Sequence, residues 1–122
     1  MARVLVIDDQ EPIRRVVRRA LEQEKHEVFE ADDGAIGLEI LETQSFDVVI
    51  TDIFMPGQDG IVTLREIRKR FPTVKVIVMS GGDSTGTLDL RQDAEFLGAV
   101  KSLQKPFNAR ELVELVRGVL KA

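Results

Sequence analysis

Short apolar runs alternate five times with longer stretches of helical period along the 122 residues of the chain. The runs lie at Arg3–Asp8, Glu27–Ala31, Asp47–Asp52, Lys75–Ser80 and Ala99–Gln104, and each reads as a β-strand. Consecutive β-branched residues mark strands covered on both faces: Val48, Val49 and Ile50 in the third, Val76, Ile77 and Val78 in the fourth. Glu27–Ala31 is short and flanked by charge, which suits a sheet edge. Ile13, Val16, Val17, Ala20 and Leu21 repeat at helical spacing and predict an inward stripe, with Arg14, Arg15, Arg18 and Arg19 on a solvated face. Pro12 falls in the first turn, where its missing N–H costs nothing. Two more helices are predicted over Ala35–Leu41 and Ile61–Phe71, with Asp33 and Asp59 as N-caps. A fourth is marked by Leu90, Ala94 and Leu97 and ended by Gly98. The last puts Leu112, Leu115, Val116, Val119 and Leu120 on one face and opens with Asn108 and Glu111 at capping-box spacing.

Strand–helix alternation through short links specifies an α/β fold: a (βα)5 chain with a doubly wound five-stranded parallel sheet and helices on both faces. Length near the commonest domain size, with no internal repeat and no linker, gives one domain over residues 1–122. The segment Gly81-Gly82-Asp83-Ser84-Thr85-Gly86-Thr87 reads either as a surface loop or as a mobile one flanking a site.

Composition narrows the chemistry by subtraction. The chain has no Cys, Trp or Tyr, which removes disulfides, thiol catalysis and cysteine-based metal sites. The single His26 cannot build a multi-histidine cluster; it follows Glu24-Lys25 in a turn and is expected to be solvated and uninvolved. No apolar run is long enough to span a bilayer and Met1-Ala2-Arg3 does not begin a signal peptide, so a cytoplasmic protein without membrane contact is expected. Seventeen basic against 21 acidic residues, a net charge of −4, disfavour direct nucleic-acid binding.

In a doubly wound sheet, ligands gather beyond the carboxyl ends of the strands. The first strand ends in Asp8-Asp9 and the third in Thr51-Asp52; the fourth ends in Ser80, and the fifth leads into Lys105-Pro106-Phe107. Asp32 and Asp33 end the edge strand, further from the centre. Three carboxylates about 5 Å apart repel by about 3 kcal/mol per pair at an effective dielectric of about 20. Such a cluster needs protonation, a nearby cation or a bound metal, and oxygen ligands alone favour a hard ion such as Mg2+. Asp9 taken by itself has a second reading, as the N-cap of the first helix. A carboxylate can attack phosphorus to give an acyl phosphate, and the phosphoryl oxygens then need positive charge and donors. Mg2+, Lys105 and the Ser80 hydroxyl would supply them.

The four signatures Ile7-Asp8-Asp9-Gln10-Glu11, Asp52-Ile53-Phe54-Met55-Pro56-Gly57-Gln58-Asp59-Gly60, Val78-Met79-Ser80-Gly81 and Lys105-Pro106-Phe107, in this order, carry a resemblance. Over essentially its whole length the chain resembles the receiver domain of two-component response regulators. The resemblance implies a flavodoxin-like, CheY-like fold with strand order 2-1-3-4-5 and a cis bond at Lys105–Pro106. It implies that Asp52 is the phosphoacceptor and that Asp9 and Asp52 ligate Mg2+ directly, with the main-chain carbonyl of Phe54 as a third ligand. Asp8 would act through a metal-bound water, and Ser80 and Lys105 would contact the phosphoryl group. The implied partners are a sensor histidine kinase or histidine phosphotransfer protein upstream, which in this family docks near the first helix and its arginines. Downstream the partner would be an effector protein or an output domain that this chain lacks. No enzymatic activity beyond the domain's own phosphorylation and dephosphorylation is implied.

Two departures from the family pattern stand out. Ser102 occupies the place, three residues before Lys105, where the family usually carries an aromatic switch residue. The stretch from Ser80 to Lys105 is about three residues longer than usual. The switch is therefore expected to run through Ser80 and the glycine-rich segment, with Ser102 an ordinary strand residue. Phe54 is expected to shield the site as a bulky loop residue, or to slow the approach of water to an acyl phosphate. Other classes remain to be weighed. A phosphorylation-independent binding module would not need the full set Asp8, Asp9, Asp52, Ser80 and Lys105. A Mg2+-dependent phosphohydrolase commonly needs an Asp where Phe54 stands. An FMN carrier would meet a repulsive acidic loop after the first strand.

Overall fold

The computed structural model describes residues 1–55, 58–81 and 101–121. Along the chain these form β1 (Arg3–Ile7), α1 (Glu11–Gln23), β2 (Glu27–Ala31), α2 (Gly34–Thr43), β3 (Val48–Asp52), β4 (Phe54–Met55), β5 (Gln58–Asp59) and α3 (Gly60–Arg70). They continue with β6 (Lys75–Gly81), β7 (Lys101–Lys105) and a last helix, α4 (Ala109–Lys121). The expected helix around Leu90–Leu97, the glycine-rich segment from Gly82 to Thr87 and the start of the fifth strand at Ala99 lie outside the described residues.

Five parallel strands form one sheet in the order β2-β1-β3-β6-β7, which is the expected 2-1-3-4-5 order when only these five are counted. Alternation along each strand divides the core in two. Leu5, Ile7, Val49, Val76 and Val78 face α2 and α3, meeting Leu41, Leu64 and Ile67. Val4, Val6, Val48, Ile50, Ile77 and Met79 face α1 and α4, meeting Val17, Leu21, Leu112 and Val116. A strand covered on both sides has no polar face, which is why the central strands read as unbroken apolar runs. β2 and β7 are the edges, and in β7 Leu103 alone is fully buried.

Helix ends follow the capping chemistry of the sequence. The Asp33 carboxylate accepts the Ile36 N–H at 2.8 Å and opens α2, while Asn108 Oδ1 accepts the Glu111 N–H at 2.8 Å and opens α4. Asp59 directly precedes α3, but its side chain lies outside the described residues. On the first helix the inward stripe is narrower than expected. Val17, Ala20 and Leu21 are buried and Ile13 packs against them, whereas Val16 is 43% exposed. Val16 lies one helical step off the seam that Ile13, Val17 and Leu21 trace at spacings of four residues. The two-residue strands β4 and β5 pair antiparallel, Phe54 with Asp59 and Met55 with Gln58, a feature the periodicity did not foretell. No helix among the described residues is long and apolar enough to cross a membrane.

Candidate functional site

Strand register assembles the site. Ile7 pairs with Thr51, so Asp8 and Asp52, the next residues along β1 and β3, fall side by side at the rim. Asp52 pairs with Met79, bringing Ser80 one step beyond it on β6. Ser80 in turn pairs with Gln104, so the end of β7 delivers Lys105 to the same edge. The rim lies between β1 and β3, where the strand order reverses and the flanking connections diverge to opposite faces.

Asp8, Asp9 and Asp52 converge, each offering a carboxylate oxygen within 4.8 Å of the others. Asp8 and Asp52 are buried and Asp9 is exposed, so the cluster opens to solvent on the Asp9 side. Lys105 crosses the two buried acids, donating from Nζ to Asp8 Oδ2 at 2.8 Å and to Asp52 Oδ2 at 3.0 Å. Burial pulls the Lys105 pKa down, but the hydrogen bonds to Asp8 and Asp52 outweigh it and hold the ammonium above its ordinary value. Lys105 is thus the cation that lets these acids share one rim. Among the described residues, one ammonium against three carboxylates leaves a surplus of two negative charges, the complement of a divalent cation. Ser80 is buried at the end of β6, and the peptide bond between Lys105 and Pro106 is cis.

Asp8 is held at every polar group. Its N–H donates to the Ala31 carbonyl at 3.1 Å, Oδ1 accepts the Gln10 N–H at 2.8 Å, and its carbonyl accepts from Arg14 Nη1 at 2.7 Å. Asp9 is not a helix cap: α1 begins at Glu11 with Gln10 in the N-cap position, and no side chain caps it.

These observations carry a family assignment when joined to sequence comparison. The family model of the response regulator receiver domain matches residues 4–117. The chain belongs to that family. The receiver is 31% identical over 118 residues to sporulation initiation phosphotransferase F of Bacillus subtilis, covering 97% of this chain and 93% of that one. Its structure is similar to a response regulator receiver domain protein from Clostridium thermocellum, at 36% identity and a TM-score of 0.88, covering 99% and 95% of the two chains. It is also similar to the receiver domain of NtrX from Brucella abortus, at 31% identity and a TM-score of 0.90, with 98% of each chain covered. The longer NtrX chain crystallised with ADP is matched over 98% of this receiver but only 26% of its own length, at 31% identity and a TM-score of 0.89. Receiver domains are the phosphoacceptor signalling domains of two-component systems, and membership supports phosphorylation-controlled signalling in general terms.

The structure brings together Asp8, Asp9, Asp52 and Lys105, with Ser80 on the neighbouring strand end. Phe54 follows Asp52 by two residues in β4; the shielding expected of it depends on a side chain outside the described residues. Ser102 is half-buried in β7 opposite Val78.

Two residues expected to be solvated are not. Arg14 belongs to no solvated face: its side chain is 15% exposed and ties Glu30 of β2 to the Asp8 carbonyl. The signal was the Asp8–Arg14 spacing, which puts an arginine one turn into the helix beside the acidic loop, yet nothing in the sequence shows that Glu30 waits across from it. His26 is half-buried, and its Nδ1 accepts the Ala2 N–H at 3.1 Å, at the opposite end of the sheet.

Proposed function

We propose that residues 1–122 form one cytoplasmic receiver domain in which Asp52 accepts a phosphoryl group from a phosphohistidine in a Mg2+-dependent reaction. The donor is a sensor histidine kinase or a histidine phosphotransfer protein, and the modified domain presents a changed surface to an effector protein or to an attached output domain. The meeting of Asp8, Asp9 and Asp52 within 4.8 Å, bridged by Lys105, carries this reading.

The donor set among the described residues fits Mg2+: oxygen ligands only, a surplus of two negative charges and one exposed carboxylate on the open side. Asp9, Asp52 and the main-chain carbonyl of Phe54 would be the residues that hold it directly. Asp8, whose two carboxylate oxygens already accept from Lys105 and the Gln10 N–H, is left to act through water. Bound there, Mg2+ supplies positive charge that offsets the repulsion between an acidic rim and an anionic phosphoryl group. An Asp52 carboxylate oxygen forms the new O–P bond as the N–P bond of the donor breaks, and the electron pair leaves on the imidazole. The product is an acyl phosphate. Lys105, held protonated, exchanges its bond to Asp52 for one to a phosphoryl oxygen, and the Ser80 hydroxyl donates to another.

With Ser102 where an aromatic residue usually turns inward, the conformational bias runs through Ser80 and the segment that follows it. A swing of the population from 1:99 to 99:1 needs about 5.5 kcal/mol of difference between the two forms. The test is intact-mass measurement after incubation with acetyl phosphate, with Mg2+ or with chelator. Gain of one phosphoryl group that requires Mg2+ is expected; no gain at saturating Mg2+ and donor would instead leave a binding module that has kept only the fold.

A further inference from the structure

We propose that Arg14 is a positioning residue for the metal site, acting on Asp9 through the peptide that joins it to Asp8; this rests on the function proposed above. Asp8 and Asp9 have opposite problems. The Asp8 side chain is buried and doubly bonded, whereas Asp9 is exposed and makes no ion pair among the described residues. Among the described residues no ion pair or hydrogen bond fixes where the Asp9 carboxylate points, so the backbone that precedes it is the restraint the structure shows.

That backbone is the Asp8–Asp9 peptide, whose carbonyl accepts from Arg14 Nη1 at 2.7 Å. A peptide unit is planar, so holding its oxygen sets the rotation of the whole unit, and with it the position of the Asp9 Cα and the N–Cα axis from which its side chain projects. The guanidinium is a fork with fixed geometry, and its other arm is occupied too: Nε donates to Glu30 Oε1 at 3.0 Å. Glu30 in turn is held on its second oxygen by Arg18 Nη1 at 2.8 Å, and Arg18 Nε reaches Glu22 at 3.1 Å. The bond from Arg18 is the main reason the Glu30 carboxyl lies below its usual range; burial opposes it and Arg14 adds to it. A braced chain therefore runs from α1 and the edge strand β2 to one carbonyl at the acidic rim. Outer-sphere partners of this kind typically govern metal affinity by about 10–100-fold.

The experiment titrates Mg2+ into the wild-type chain, Arg14→Met and Arg14→Lys by isothermal titration calorimetry, with folding checked by circular dichroism. Methionine keeps a long apolar stem and removes the donor, and its Mg2+ dissociation constant is expected to rise about tenfold. The rate of phosphorylation by acetyl phosphate, with each protein saturated in Mg2+, should stay within about twofold of wild type, because positioning is restored once the ion is bound. Lysine can donate to the carbonyl but cannot also hold Glu30, so about threefold weakening is expected, a partial rescue. If Arg14→Met fails to fold, Arg14→Lys alone decides. Affinity unchanged in either folded variant would overturn the proposal, as would a saturated rate that falls as far as the affinity. A wild-type chain that takes up no Mg2+ would contradict the proposed function as well, whereas wild-type binding with an unaffected Arg14→Met would contradict this inference alone.

Discussion

Asp9 is the residue whose loss should separate stability from function most cleanly. Asp8 and Asp52 are compensated by Lys105, but Asp9 adds a third negative charge to the rim at the solvent boundary. Asp9→Asn removes that repulsion without leaving a buried group unpaired. It should raise stability in the absence of divalent cations by on the order of 1 kcal/mol, or about 4 °C in Tm, while weakening Mg2+ binding. Differential scanning calorimetry with chelator checks the first and a Mg2+ titration the second; a destabilised Asp9→Asn would mean that the rim carries no net strain. At this scale the sequence was a good guide to Asp8, Asp9, Asp52, Ser80 and Lys105, because each sits at or directly beyond a strand end and the fold class says where strand ends meet. Arg14 and Glu30 escaped it because their pairing joins α1 to β2, and side-chain reach across two elements leaves no periodic trace.

Among the elements, α2 shows how closely the layers are fitted. Gly37 faces β1, and a Cβ built on it would lie 2.4 Å from Ile7 Cδ1 and 2.9 Å from Cγ1. Ile7 is fully buried in the core one residue before Asp8, so it has little room to give. Gly37→Ala should therefore destabilise the domain by about 1–3 kcal/mol, overriding the gain of about 1 kcal/mol that alanine brings to an exposed helix. Urea denaturation measures this directly, and a stabilised variant would show that Ile7 can repack. Element existence and type were legible for the long periodic segments, where the apolar spacing of 3.6 or the unbroken strand run is repeated often enough to be unmistakable. The β4–β5 pair was not, since two residues per strand carry no period. Val16 was misplaced for a related reason: a helix against a sheet buries a stripe narrower than its apolar count suggests.

Across the whole molecule, the two ends of the sheet have different duties. The carboxyl end gathers the acidic rim, and the amino end is tied down by packing. There the Arg3 guanidinium lies 5.1 Å from the Phe29 ring and 5.2 Å from the Phe46 ring, and it bonds to Glu27, Ser45 and Gln44. At the same end His26 accepts the Ala2 N–H through Nδ1, which only an unprotonated ring nitrogen can do. Burial, followed by the nearby chain terminus, pushes the His26 pKa below its ordinary value, with Arg117 adding to this and Glu24 and Asp47 opposing it. A depressed folded-state pKa means that the unfolded chain binds the proton first. The contribution to stability is then present above about pH 6.5 and is lost as pH falls through the lower folded value. Denaturation midpoints measured from pH 8 to pH 5 should show this fall for the wild type and a flatter profile for His26→Gln, whose amide oxygen can accept the same N–H at either pH. The strand order itself was legible only through the family resemblance, because patterning says which segments are strands but not which strands are neighbours.

The central claim is that Asp52, among all the hydroxyl and carboxyl groups of this chain, is the phosphoacceptor. It is tested most directly by locating the modification after reaction with Mg2+ and acetyl phosphate. Treatment with hydroxylamine, which cleaves acyl phosphates and leaves a hydroxamate on the carboxyl carbon, should mark residue 52 alone in tandem mass spectrometry, and Asp52→Asn should gain no phosphoryl group. A phosphoryl group that survives hydroxylamine on a Ser or Thr, or equal labelling of Asp52→Asn, would contradict the account.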